Sequence, residues 1–252
     1  MKNIITALSE IGQKKNIKIL HACETGSRAW GFPSPDSDYD VRFIYMHERD
    51  WYLSLSQRKD TIEYMDDDLD ITGWDLKKCL NLLKKSNVPL IERFQSPFEY
   101  YAVPGFKDEF KKLIESYYSP TAVFFHHYSL AHKFWEDMIG KDDFKLKGFF
   151  YLVRSLLSCN WIMHDKTVLP MHIEGLMRYS DEKINTPLRE LVQLKLGVGE
   201  KYLHSKDSVM EVWILQLLEK LEISKQKLGV NQTDMSLLNE FFLKMLYAKA
   251  DY

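Results

Sequence analysis

Near residue 105 the spacing of apolar residues changes character, and this break constrains the fold more than any other feature of the chain. Before it, β-prone runs alternate with amphipathic ones. Ile4, Ile5, Leu8 and Ile11 recur at helical spacing and predict a helix over 2–14, while 17–22 and 38–45 read as strands joined by a loop rich in Gly, Pro, Ser and Asp. Residues 51–55 form a short connection, 60–64 and 69–72 are further short strands, and Leu76, Leu80 and Leu83 restore helical period over 74–85. Pro97 and Pro104 then punctuate an irregular stretch. Beyond it, 107–116, 121–139, 146–164, 187–196, 208–227 and 235–249 all place apolar residues at i, i+3 and i+4. The expected fold class is α+β, with a small mixed β-sheet domain over 1–105 followed by an α-helical domain over 106–252. A chain of 252 residues is long enough to bury a substantial core in each.

Composition removes several function classes. At 45% hydrophobic and 28% charged the chain is too apolar to be disordered. Its net charge of −2 lacks the excess of cations that binds nucleic acid without regard to sequence, so a phosphate-rich partner must be held by a local patch. Lys77, Lys78, Lys84, Lys85 and Arg93 against Glu92 supply one such excess, which reads equally as a solvated helix face or as an acceptor-binding surface. Cys23, Cys79 and Cys159 are far apart and show no metal-ligand spacing, which speaks against a zinc site or disulfide framework and for a reducing cytoplasm. No apolar run reaches 18 residues and no signal-type segment opens the chain, so neither secretion nor a membrane span is expected.

The chemistry concentrates in Thr25-Gly26-Ser27, a ten-residue spacer, and Asp38-Tyr39-Asp40. Two acids two apart on a strand project from one face. Hard divalent cations, Mg²⁺ or Mn²⁺, take such oxygens, and two ions roughly 3.5–4 Å apart clamp an in-line displacement at phosphorus. Gly26-Ser27 offers backbone N–H groups unobstructed by a Cβ, and a hydroxyl, to a polyphosphate. A third acid is needed on an adjacent strand. Asp70, set between Leu69 and Ile71, fits better than Asp66, Asp67 and Asp68, which read as a solvated turn, or Asp75, which stands where the first turn of a helix favours an acid. Trp30 and Phe32 in so short a spacer imply that something lies against it. His126, His127 and His132 lack the i, i+4 spacing of a shared metal and read as satisfied or capping residues. The aromatics Phe124, Phe125, Tyr128, Phe134, Trp135, Phe149, Phe150 and Trp161 read as helix-on-helix packing.

The run from Gly26-Ser27-Arg28-Ala29-Trp30-Gly31 to Ser37-Asp38-Tyr39-Asp40-Val41-Arg42 resembles the DNA polymerase β-type nucleotidyltransferase superfamily. Within it the run looks like a subfamily of bacterial and phage proteins known as predicted nucleotidyltransferases, some of them associated with RNA ligases and RNA repair. The likeness extends through 70–78, 85–87 and 95–97 and covers most of 20–165; Thr25 departs from it, a position where the superfamily often has a larger apolar residue. The resemblance implies a palm-like catalytic domain, an NTP substrate, two metal ions held by Asp38, Asp40 and Asp70, and transfer of an NMP to a hydroxyl with release of pyrophosphate. It also implies nucleotide contacts from Gly26, Ser27 and Arg28, and from the helical domain Lys147, Tyr151 and Arg154, which fall at i, i+4 and i+7 and reach the triphosphate across a cleft. A core position for Tyr151 with both cations on the surface is the alternative. An RNA or tRNA end is the acceptor the subfamily implies. A small molecule or protein acceptor, or a non-catalytic nucleotide-binding or antitoxin-like module, are the other readings.

Overall fold

Val41, Phe43 and Tyr45 alternate with Asp40, Arg42 and Ile44 along strand β2 (Tyr39–Met46), and the period of two sends the first set to one side of a sheet. There they pack with Ala7, Leu8 and Ile11 of helix α1 (Ile4–Lys15) and with Ala22, Leu69 and Ile71 from the neighbouring strands. Asp40 and Arg42 are left on the other face. The structure, a computed structural model, describes residues 4–225 and 234–248. Residues 2–3, 226–227 and 249 of the expected helices lie outside the described residues.

The described chain separates into two compact units, one made of 4–26, 38–118 and 234–248, the other of 27–37 and 119–225. The first unit holds a mixed sheet of β1 (Lys18–Glu24), β2, β3 (Thr61–Asp66), β4 (Leu69–Asp75) and β5 (Glu99–Ala102) in the order β3-β4-β2-β1-β5. β2 and β4 run parallel; every other neighbouring pair is antiparallel. Gly73 of β4 is the register partner of Phe43, and a Cβ there would stand 2.1 Å from the Phe43 ring, so the close approach of the two strands demands glycine.

Two stretches of this unit run against the expectation. The first two residues of the expected connection 51–55 belong instead to a helix, α3 (Arg49–Tyr52). Asp75 ends β4 and caps α4 (Leu76–Leu83), its side chain accepting from the Lys77 N–H at 2.8 Å, which is the helix-start role expected for that acid. The stretch expected to be irregular contains α5 (Val88–Gln95), capped by Asn87, and edge strand β5, with Pro97 and Pro104 just outside its ends. Helix α6 (Phe106–Tyr117) packs Phe106 and Phe110 on Phe94 and on Phe241 of the C-terminal helix α12 (Ser236–Tyr247).

The second unit is helical apart from one small two-stranded ladder. Its helices are α7 (Pro120–Glu136), α8 (Leu146–His164), the short α9 (Ile173–Leu176), α10 (Glu182–Gly197) and α11 (Ser208–Ser224); β6 (Asp143–Lys145) and β7 (Leu203–Ser205) pair antiparallel, a ladder too short to leave a period in the sequence. α8 is buried on most of its surface, from Leu146 to Ile162. Helix α10 starts five residues before the expected 187, where Asp181 caps it, so the cap sets its boundary and Pro187 lies inside. The segment 27–37 belongs to this unit because its aromatics pack there: Phe32 stacks on Phe150 at 4.8 Å and Trp30 meets Tyr151 edge-on at 5.1 Å. Among the described residues no helix is long and apolar enough to cross a membrane, and the three cysteines are buried and in no disulfide.

Candidate active site

The parallel register of β2 and β4 sets Asp40 opposite Asp70. Both side chains are about one-third exposed, and Arg42 joins them: its Nη2 donates to Asp40 Oδ1 at 2.9 Å and to Asp70 Oδ2 at 2.8 Å, while Nη1 donates to the Asp70 carbonyl at 2.8 Å. Because residues 40 and 42 share a face of β2, the fork reaches across the strand gap without leaving the sheet surface. Asp38, one residue before β2, is exposed.

The backbone at Asp40 is fixed by its surroundings. Its N–H donates to Glu24 Oε1 at 2.8 Å; its carbonyl accepts from the Thr25 N–H at 2.9 Å and the Thr25 hydroxyl at 3.1 Å. Glu24 is buried, and its other oxygen accepts from the Tyr100 hydroxyl at 2.6 Å. A buried carboxylate stabilised by an N–H and an O–H in this way is charge-assisted on both oxygens and resists rotation. Gly26 follows with φ +64°, and a Cβ there would lie 2.2 Å from Asp40 Oδ2. The carboxylate therefore occupies the space that any other residue at 26 would need.

Gly26 opens the short helix α2 (Gly26–Trp30) where a turn at a strand end was expected. Arg28 Nη2 donates to the Ser37 carbonyl at 2.7 Å and the Ser27 hydroxyl to Ser37 Oγ at 3.3 Å, closing the spacer into a loop. Buried Lys195 donates to Ser34 Oγ at 2.8 Å, and the Glu200 N–H donates to Asp36 Oδ1 at 2.9 Å, so α10 and the turn after it hold the same loop.

Lys147, Tyr151 and Arg154 lie in different surroundings along α8. Lys147 pairs with Glu200 at 2.8 Å, and with Tyr151 it lines a cavity of about 570 Å³ that also takes in Phe134, Lys141 and Lys145. Arg154 is buried, its guanidinium 4.4 Å from the centre of the Trp30 ring. The cations at 77–93 do not form one face: Lys78 pairs with Asp60, and Arg93 is buried against Trp74 at 3.5 Å while donating to the Phe43 carbonyl. Burial holds the Arg93 guanidinium down at about 10. His127, expected to be satisfied or capping, is buried in α7 with both ring nitrogens unpartnered among the described residues, and desolvation keeps its pKa well below the usual range.

Glu24, Tyr100 and Arg42 were not singled out by sequence reasoning. Glu24 adjoins the Thr-Gly-Ser turn and Arg42 continues the Asp-x-Asp period, so proximity to the motif was a usable signal for both; nothing local marks Tyr100, 76 residues from its partner.

Among the described residues no three His, Cys, Asp or Glu side chains are gathered closely enough to hold a metal ion by themselves. The Asp40–Asp70 pair is gathered, and its all-oxygen donor set suits Mg²⁺, which is commonly bound through one or two carboxylates and completes its shell with water and phosphate oxygens. The residues fit such an ion.

The mixed sheet with two acids level on its parallel strands, behind a glycine turned against one of them, is that of a nucleotidyltransferase-like protein of the polymerase β type. The chain belongs to the RNA repair pathway DNA polymerase beta family (RlaP), whose family model matches residues 1–244. It is 37% identical over 246 residues to the uncharacterized protein YcgL of Bacillus subtilis (strain 168), covering 96% of this chain and 95% of that one. A crystal structure of a nucleotidyltransferase-like protein from Exiguobacterium sibiricum 255-15 aligns with 99% of this chain and 81% of its own, at 12% identity and a TM-score of 0.33.

Proposed function

We propose that this protein transfers a nucleoside monophosphate from an NTP to a hydroxyl of an RNA or tRNA end, releasing pyrophosphate. The observation that carries the reading is the level pairing of Asp40 and Asp70 on parallel strands beside Gly26, where no side chain intervenes. Asp38, Asp40 and Asp70 would hold divalent metal, Mg²⁺ or Mn²⁺, which when bound neutralises the charge that builds up on the transferring phosphoryl group. The chain's own residues do the rest. Glu24, Thr25 and Gly26 fix the position of Asp40, and Gly26-Ser27 receive the triphosphate, with Arg28 holding the loop that follows. The acceptor oxygen forms a bond to the α-phosphorus as the bond to the β-phosphate oxygen breaks, and Asp70 accepts the hydroxyl proton. Lys147 and Tyr151, which line one cavity of the helical unit, are its proposed phosphate contacts; Arg154, buried on Trp30, acts by holding that ring against α8. The cytoplasm is the proposed setting, in keeping with three cysteines in no disulfide.

The family description favours RNA as acceptor. Incubation with each α-³²P-labelled NTP, Mg²⁺ or Mn²⁺, and separate RNA, protein and small-molecule fractions tests this. Label entering RNA is expected. Label in the protein or small-molecule fraction would keep the chemistry and change the acceptor, and no label in any fraction with any NTP would leave only a nucleotide-binding module.

A further inference from the structure

Arg42 is the one cation whose side chain is bonded to both level acids among the described residues. Its Nη2 holds one oxygen from each carboxylate at 2.8–2.9 Å, and its Nη1 is engaged by the Asp70 and Val41 carbonyls at 2.8 and 3.2 Å. The side chain is only 19% exposed, so these bonds are made in a partly desolvated place where a point charge is felt strongly. A divalent ion held by Asp40 and Asp70 would draw on the same two carboxylates and would meet a positive charge already seated between them. At the Asp40–Asp70 pair itself the guanidinium offsets one of the two carboxylate charges, which weakens the pull of these two acids on a free ion. A triphosphate changes this balance, because it brings several negative charges and, in its oxygens, a planar-fork partner for which guanidinium is well matched.

We propose that Arg42 is a resident cation that keeps free divalent metal from the Asp40–Asp70 pair and yields those carboxylates only when metal arrives with a nucleoside triphosphate, the guanidinium passing to phosphate. Arg42 is thus a positioning residue that couples metal loading to nucleotide binding. The inference rests on the nucleotidyl-transfer reading for its ligand, but its test does not depend on turnover.

The test is Mn²⁺ binding to the full chain, followed by electron paramagnetic resonance with and without a non-hydrolysable α,β-methylene ATP. In the wild type the nucleotide analogue should tighten Mn²⁺ binding at least tenfold beyond what the analogue binds in free solution. Arg42→Gln should bind Mn²⁺ at least tenfold more tightly than wild type in the absence of nucleotide, and the dependence on the analogue should shrink towards none. Arg42→Lys, which keeps the charge and loses the fork, should fall between; it also serves if Arg42→Gln does not fold by circular dichroism. Asp70→Asn in the Arg42→Gln background should abolish the gain. Unchanged or weaker Mn²⁺ binding in both Arg42 variants overturns the proposal, as does a wild type that binds Mn²⁺ equally well without nucleotide. If wild type and variants bind no Mn²⁺ under any condition, the proposal falls together with the metal reading of the site; if the wild type loads Mn²⁺ with nucleotide and the Arg42 variants behave identically, only the proposal falls.

Discussion

Asp40 and Asp70 face each other across adjacent parallel strands, and one guanidinium nitrogen of Arg42 is bonded to both. The pairing arises from the register, since residue 40 of β2 and residue 70 of β4 are partners in a ladder that runs on through Val41–Ile71 and Phe43–Gly73. The buried side of that ladder is what fixes it: a slip of one residue would send Val41, Phe43 and Ile71 to the solvent side.

Asp70→Asn should separate binding from chemistry. On the proposed reading Asp38 and Asp40 would still hold metal and triphosphate, so nucleotide affinity by calorimetry should stay within a few-fold of wild type, while the single-turnover rate falls about 10²–10⁴-fold, the usual contribution of a positioned proton acceptor. Asp68→Asn, at an exposed turn, is the control and should transfer normally. A wild-type rate in Asp70→Asn would remove it from the reaction.

Asp40→Asn should abolish transfer with native circular dichroism, because it removes a ligand charge at constant volume. Asp38→Asn should do the same, its exposure making any loss of fold unexpected. Measurable transfer in the double variant would sink the assignment.

Gly26→Val should cost about 1–3 kcal/mol in urea unfolding through the left-handed backbone alone. It should also displace Asp40, whose Oδ2 lies where the new Cβ must go, and so lower nucleotide affinity with metal present. Gly26→Ala should show the same direction of effect. Wild-type affinity in either variant would mean that the Asp40 carboxylate is not held against residue 26 in the nucleotide-bound state.

Tyr100→Phe removes the hydroxyl donated to buried Glu24 and should destabilise the chain by about 1.5–3 kcal/mol, the range for a hydrogen bond to a charged group. Since Glu24 in turn holds the Asp40 N–H, transfer should slow at saturating nucleotide even at temperatures where the variant is fully folded. Lost stability with an unchanged rate would confine the Glu24–Tyr100 pair to the fold.

Stability should fall on mild acidification. His21 is buried, and desolvation outweighs the neighbouring Glu99 to bring its pKa down from 6.5 to about 4; Lys107 and Arg93 act in the same direction as burial. Below pH 6.5 the unfolded chain takes up a proton that the folded chain refuses until about pH 4, so this contribution is intact above 6.5 and is lost through that window, with a slope of up to about 1.4 kcal/mol per pH unit. Buried His127 adds to the loss in the same direction. Urea unfolding at pH 7 and pH 5 should show the decline, and His21→Gln should reduce it. An equal decline in that variant would place the titration elsewhere.

The sequence by itself determined what local chemistry and periodicity encode. The strand bearing Asp40, the acid on β4, the Asp75 cap and the helices on either side of residue 146 follow from alternation, helical period and capping preference, each set by neighbours within a turn or two. The presence of Trp30 and Phe32 in a ten-residue spacer also foretold a packed loop, which Phe150 and Tyr151 supply. Tertiary structure alone decided the rest. β5 and the β6–β7 ladder are too short to carry a period and exist because a distant strand completes their hydrogen bonds. Residues 27–37 join the helical unit through aromatic stacking and Lys195, 161 residues beyond Ser34. The bond between Tyr100 and Glu24, and the convergence of Arg42 on Asp70, likewise join residues 76 and 28 positions apart, a separation over which no sequence pattern propagates and only the register of the sheet brings the groups into contact.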